Sequence, residues 1–133
     1  MTLEELKLDM VILACAVSAG IHGALVPEHY EEGAGAGIAF ALATALLAVS
    51  VVVLTRRPSR AALAATAALL AGLIAAYCLA ITTGIPVIHP DRETVDGLAV
   101  ITKAVEALGL VVACSLVVAP SPRRIHYPEG QIT

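Results

Sequence analysis

Four long apolar stretches alternate with short polar segments along the chain. They cover about residues 10–26, 38–54, 61–83 and 98–119. Each approaches the roughly 20 residues that an α-helix needs to cross the hydrocarbon core of a bilayer. The pattern therefore predicts an all-α protein, a bundle of four transmembrane helices.

Start and stop signals extend these stretches into predicted helices. Thr2 and Glu5 have the spacing of a capping box, which favours a first helix that begins near residue 3. Pro27 is expected to end this helix, because proline interrupts helices and suits the first position of the next one. The predicted helices cover about residues 3–26, 28–55, 60–83 and 92–119. They form one transmembrane domain over residues 1–120, and residues 121–133 form a tail.

The composition supports a membrane protein. Of the 133 residues, 59% are hydrophobic and 14% are charged, and the mean hydropathy is +0.89. A water-soluble domain of this size could not bury so much apolar surface inside itself. The net charge of −3 argues against a nucleic-acid partner. The lipid bilayer is the expected partner.

Basic residues concentrate at one end of the predicted bundle. The turns at the other end contain only Arg92. Since cytoplasmic segments of membrane proteins carry an excess of lysine and arginine, we expect both termini to be cytoplasmic in a multi-pass protein of the bacterial inner membrane. The residues at the basic end are Lys7, Arg56, Arg57, Arg60, Arg123 and Arg124.

The fourth predicted helix contains ionisable residues at membrane depth. Lys103 and Glu106 are three residues apart, and Asp96 precedes Lys103 by seven, so the three are expected on one face directed into the bundle. Tyr77 of the third helix could reach the same layer. Two interpretations stay open, a salt bridge that fixes helix register and a proton or ion site.

Histidines and carboxylates gather at the end opposite the arginines. Imidazole with carboxylate is a suitable ligand set for zinc, copper or iron, and four helices could bring such side chains together. A haem is disfavoured, because the helices offer few large aromatic side chains to pack a porphyrin. The predicted metal ligands are His22, Glu28, His29, His89 and Glu106.

Three segments, over residues 21–29, 82–86 and 102–106, carry a resemblance to a known group. They contain a histidine near the end of the first helix, a Pro-Glu-His start to the second, a Thr-Gly-hydrophobic-Pro turn and a Lys-x-x-Glu pair. In these features the chain resembles small four-helix membrane proteins of actinobacteria, a group of unknown function. The resemblance implies the four-helix architecture and a link between these positions, and it supplies no reaction.

These observations predict an integral membrane protein with a His/Glu centre in its extracytoplasmic half that handles a metal ion or a proton. One alternative is a structural or accessory subunit of a larger membrane complex, and another is a small membrane oxidoreductase. The small residues Gly33 and Gly37 suit helix packing within the chain or in a homo-oligomer. Whether the protein is an enzyme, and which residues would be catalytic, stays open.

Overall fold

The computed structural model describes residues 1–86, 88 and 92–119. These residues form four helices: α1 (Leu3–Glu32), α2 (Ala34–Arg56), α3 (Arg60–Thr82) and α4 (Gly97–Val118). Each helix is long and apolar enough to cross a membrane. The all-α prediction is therefore confirmed, and the four apolar helices fit a multi-pass membrane protein. His89 and the predicted tail over residues 121–133 lie outside the described residues.

The four helices pack side by side. Helix α1 packs against α2 and α4, and α3 packs against α4 and, more sparingly, against α2. At the start of α3 the Arg60 guanidinium donates a hydrogen bond to the carbonyl of Ala119, just past the end of α4. We call this end of the molecule the arginine end. The opposite end, where α1 passes into α2 and α3 connects to α4, is called the acidic end.

Helix α1 does not end before Pro27 as predicted, since it continues through this proline to Glu32. Proline removes one backbone donor, and packing of α1 against α2 on both sides of it keeps the helix intact. Gly33 alone connects the two helices. Its N–H donates to the carbonyl of His29 over 3.1 Å, and its own carbonyl accepts from Gly37 over 3.1 Å. The predicted second helix therefore starts too early.

Helix α4 also begins later than predicted, at Gly97 rather than near residue 92. The Asp96 side chain accepts a hydrogen bond from the Ala99 backbone N–H over 2.8 Å. Aspartate is a preferred N-cap because it satisfies one of the free donors at a helix start. Asp96 therefore caps α4 and is exposed, instead of lying in a buried stripe with Lys103.

Small residues set how closely the helices approach. A Cβ added at Gly109 of α4 would lie 2.8 Å from the Cβ of Ala14 in α1 and 3.2 Å from Leu70 Cδ1 in α3. A Cβ at Gly37 would collide with the ring of Tyr30 in the same chain. Gly37 thus packs inside the molecule. The buried apolar core is formed by Val11, Cys15, Leu47, Leu54, Leu63, Ala67, Leu70 and Ala113.

Candidate functional site

A cleft of about 400 Å³ lies between the helices at the acidic end. All four helices contribute to its lining, and its α2 and α3 walls consist largely of alanine. The cleft stays open because these side chains are small and because α2 and α3 pack only sparingly against each other. The polar residues that line it are His22, Glu28, His29, Glu32, Tyr77, Glu93, Thr94, Asp96, Thr102 and Lys103.

The mouth of the cleft holds three residues that we call the rim cluster: His29, Glu32 and Glu93. One ligand atom from each lies within 4.8 Å of the others. His29 Nε2 lies 3.4 Å from Glu93 Oε1 and 4.0 Å from Glu32 Oε2. His29 and Glu32 are one turn apart on α1. Glu93 comes from the α3–α4 connection, where its backbone N–H donates to the carbonyl of Ala80 over 3.1 Å.

The His29 ring is held in one orientation. Its Nδ1 lies 3.0 Å from the carbonyl of Leu25. A carbonyl can only accept, so Nδ1 carries the proton and donates. The ring also stacks on Phe40 of α2, with centroids 3.5 Å apart and planes inclined by 21°. The neutral ring therefore presents its Nε2 lone pair to the two carboxylates.

This arrangement is suited to a metal ion. Two ligands of a tetrahedral ion with bonds of about 2.0–2.1 Å lie about 3.3–3.4 Å apart. The separation of 3.4 Å between His29 Nε2 and Glu93 Oε1 matches this edge. Donation of the second ring N–H to a backbone carbonyl, as His29 makes to Leu25, is also common among metal-ligating histidines. The rim cluster could thus supply one nitrogen and two carboxylates to an ion.

A second group, the buried network, consists of Ser18, His22, Lys103 and Glu106, of which His22 and Lys103 line the cleft. Glu106 is fully buried. Its Oε1 accepts a hydrogen bond from the Ser18 hydroxyl and its Oε2 accepts one from Lys103 Nζ, both over 2.7 Å. The network links α1 to α4 and compensates a charge that would otherwise be costly at this depth.

His22 faces Glu106 with the same tautomer as His29. Its Nδ1 lies 2.9 Å from the carbonyl of Ser18, which can only accept, so this nitrogen donates. Its Nε2 lies 3.9 Å from Glu106 Oε1. The ring also contacts Phe40, with centroids 5.3 Å apart. The Phe40 side chain therefore lies against both histidines of α1.

The predicted ligand set is thus divided between two places. His29 belongs to the rim cluster, whereas His22 and Glu106 belong to the buried network, where Glu106 is occupied by Ser18 and Lys103. Glu28 is exposed and lines the cleft. His89 lies outside the described residues. Among the described residues, the rim cluster is thus the group whose ligand atoms lie close enough together to hold a metal ion.

Tyr77 lies beside the buried network, as the sequence suggested. Lys103 Nζ lies 5.6 Å from the centroid of its ring, within the range of a cation–π contact. The Tyr77 hydroxyl is buried and has no hydrogen-bond partner among the residues that the structure describes. The aromatic face of Tyr77 therefore stabilises the ammonium group of Lys103.

Sequence reasoning missed the roles of four residues: Ser18, Glu32, Phe40 and Glu93. Ser18 lies one turn before His22, and this i,i+4 spacing was a signal that the two share a helix face. Glu32 and Glu93 belong to the carboxylates that the sequence gathers at the end opposite the arginines. Their convergence on His29 required α1 to continue past Pro27.

No protein-family model, curated protein or solved structure matches this chain.

Proposed function

We propose that this protein is an integral membrane protein that binds a divalent transition-metal ion through His29, Glu32 and Glu93. The observation that carries the proposal is the fixed His29 ring, whose Nε2 lone pair faces the Glu93 carboxylate across 3.4 Å. A lone pair and a carboxylate at this separation repel unless a proton or a metal ion lies between them. The carboxylates that surround His29 favour a cation.

The ligand set supports a role in handling the ion. Three protein ligands leave coordination positions open, as in sites that exchange water or substrate. The rim cluster lies at the mouth of the cleft and is partly exposed, with 41% of the Glu32 side chain and 26% of the Glu93 side chain accessible. An ion could therefore enter from the aqueous phase. The gathering of arginines at the opposite end supports an extracytoplasmic position for this end in our proposal.

Metal titration of the detergent-purified, chelator-washed protein tests this function. Zinc binding is measured by elemental analysis and calorimetry, and cobalt is used as a spectroscopic probe because its visible absorption reports coordination number. We expect one ion per chain. His29→Ala and Glu93→Gln each remove a ligand and should weaken zinc binding at least about 10-fold, the scale of effect that disturbing a metal's surroundings produces.

Glu31→Gln is the matched control. Glu31 is exposed, adjacent to Glu32 and outside the rim cluster, so this variant removes the same charge without removing a ligand. Equal affinity for zinc in Glu93→Gln and Glu31→Gln would contradict the site. A chelator-washed wild type that takes up no zinc or cobalt would instead favour a structural subunit held together by the Lys103–Glu106 pair.

A further inference from the structure

We propose that the buried network is a proton-binding site, in which His22 Nε2 takes up one proton and donates it in a hydrogen bond to Glu106. In the second part of the proposal, this proton and the rim-cluster metal ion oppose each other's binding. The first part depends on the geometry of Ser18, His22 and Glu106 alone. The second part rests on the proposed metal function.

The geometry of His22 leaves one place for a proton. Its Nδ1 already carries one, donated to the Ser18 carbonyl over 2.9 Å. Its Nε2 therefore has a lone pair, and it lies 3.9 Å from Glu106 Oε1. A proton added to Nε2 would be directed at a carboxylate oxygen. A shift of about 1 Å would bring the two atoms to the 2.7–2.9 Å typical of a charge-assisted hydrogen bond.

Glu106 is equipped to accept that bond without losing its present partners. Oε1 accepts from Ser18 and Oε2 accepts from Lys103. A carboxylate offers about four lone-pair positions, so a third donor can be accommodated. Protonated His22 would complete a shell of three donors around a fully buried carboxylate. This is a more favourable surrounding for the carboxylate than two donors provide.

The cleft connects this site to the acidic end. His22, His29 and Lys103 all line it, so a proton can reach His22 through the same opening that leads to the rim cluster. Its volume of about 400 Å³ leaves room for water molecules, each of which occupies about 30 Å³ in the liquid. Carboxylates at the mouth would raise the local concentration of protons and of metal cations alike.

Ionisable groups face His22 from three of the helices. Helix α4 contributes Glu106, which favours the protonated ring, and Lys103, which opposes it. Helix α3 contributes Tyr77, and α1 contributes Cys15 one turn below Ser18 and His29 two turns above His22. Helix α2 presents an aromatic ring, Phe40, to His22 and no ionisable group, because its one ionisable residue, Arg56, lies at the arginine end. The carboxylates that also line the cleft are Glu28, Glu32, Glu93 and Asp96.

The metal ion and the proton oppose each other's binding because their two sites lie on the same face of α1. His22 and His29 are seven residues apart, about 10 Å along the axis at 1.5 Å per residue. Phe40 fills the space between their rings. A divalent ion at this distance repels a protonated imidazole by about 1.5–3 kcal/mol at an effective dielectric constant of about 20–40, which equals a fall of about 1–2 pH units in the midpoint of His22 protonation.

The first experiment uses the metal-free full chain labelled with ¹⁵N-histidine in lipid nanodiscs. Ring ¹⁵N shifts are followed by NMR across pH, and His22→Gln assigns the signal. We expect His22 Nε2 to take up one proton. In Glu106→Gln the midpoint should fall by about one pH unit or more, because an opposite charge within about 4–6 Å is lost. Glu31→Gln should leave it unchanged.

Lys103→Met/Glu106→Gln guards against misfolding of the single variant, since it removes both charges of the pair. Its midpoint should lie below that of Lys103→Met, because these two variants differ only in the charge of Glu106. A His22 ring that stays unprotonated down to about pH 5, well below the ordinary range of histidine, would overturn the proton site. So would an unchanged midpoint in Glu106→Gln together with equal midpoints in Lys103→Met and the double variant.

The second experiment repeats the titration with saturating zinc. The wild-type midpoint should fall by about 1–2 pH units, as the repulsion across two helical turns requires. In Glu93→Gln, at a zinc concentration that leaves its rim cluster empty, the midpoint should not move. Zinc binding with no change at His22 would overturn the opposition between the two ligands. A protein that binds no zinc would refute the metal function, while the metal-free titration would still decide the proton site.

Discussion

Lys103→Met breaks the ion pair inside the bundle while keeping a flexible side chain of similar length. Lys103 Nζ donates to Glu106 Oε2 over 2.7 Å, and Glu106 is fully buried. The variant leaves the carboxylate with the neutral Ser18 hydroxyl as its remaining donor among those described. While His22 is neutral, the folded state then contains a buried charge without a countercharge, which the unfolded state does not.

The size of the loss follows from the burial of the pair. Removing one partner of a buried ion pair typically costs about 3–5 kcal/mol. We therefore expect Lys103→Met to lose about 3–5 kcal/mol at pH 7.

The free energy of unfolding is measured in mixed micelles by circular dichroism as the fraction of denaturing detergent increases. Lys7→Met is the control, because Lys7 lies in the second turn of α1 at the arginine end, away from Glu106. Lys103→Met/Glu106→Gln should lose less than Lys103→Met alone, since no unpaired charge remains. A loss below about 0.5 kcal/mol at pH 7, the range of ordinary surface substitutions, would refute the reasoning.

Two further predictions concern the helices that position the site. Gly109→Ala places a methyl group 2.8 Å from the Cβ of Ala14 and should destabilise the protein by about 1–3 kcal/mol. Gly72→Ala is the control and should be neutral or stabilising, because a Cβ there would have nothing within 4 Å. Thermal unfolding of both variants tests this prediction. Asp96→Ala should lower the free energy of unfolding by about 1 kcal/mol because it removes the α4 cap, and Asp96→Asn should lower it by only a few tenths. Equal losses in the two variants would show that the charge of Asp96 matters instead of its capping hydrogen bond.

The apolar pattern was enough to predict four helices, because a stretch of about 20 apolar residues has few other stable structures. The helix boundaries at Pro27 and Asp96 were harder to predict. Proline is a strong local signal for a helix end, but the cost of one missing hydrogen bond is offset by packing against α2, which local sequence does not reveal. At α4, the carboxylates of residues 91–93 offered an earlier start that competed with the cap at Asp96.

The sequence predicted the grouping of the candidate site residues only in part. The pairing of Lys103 with Glu106 follows from i,i+3 spacing on one helix, and the structure contains it. The partners of His22 and His29 depend on contacts between residues far apart in the chain, such as Ser18 with Glu106. Spacing along the sequence could not separate the two histidines into different clusters.

Because α1 continues past Pro27, the rim cluster and the buried network share this helix, and their charges can be considered together. With neutral histidines, the rim cluster carries two negative charges from Glu32 and Glu93, whereas Lys103 and Glu106 in the buried network sum to zero. A divalent ion would bring the rim to neutrality, and a proton on His22 would make the network positive. Apolar surroundings disfavour net charge. In our proposal, a metal ion at the rim would therefore favour neutral His22 and an empty rim would favour protonated His22, because the summed charge of the two clusters is then closest to zero. Each exchange of one state for the other would move a proton against a metal ion.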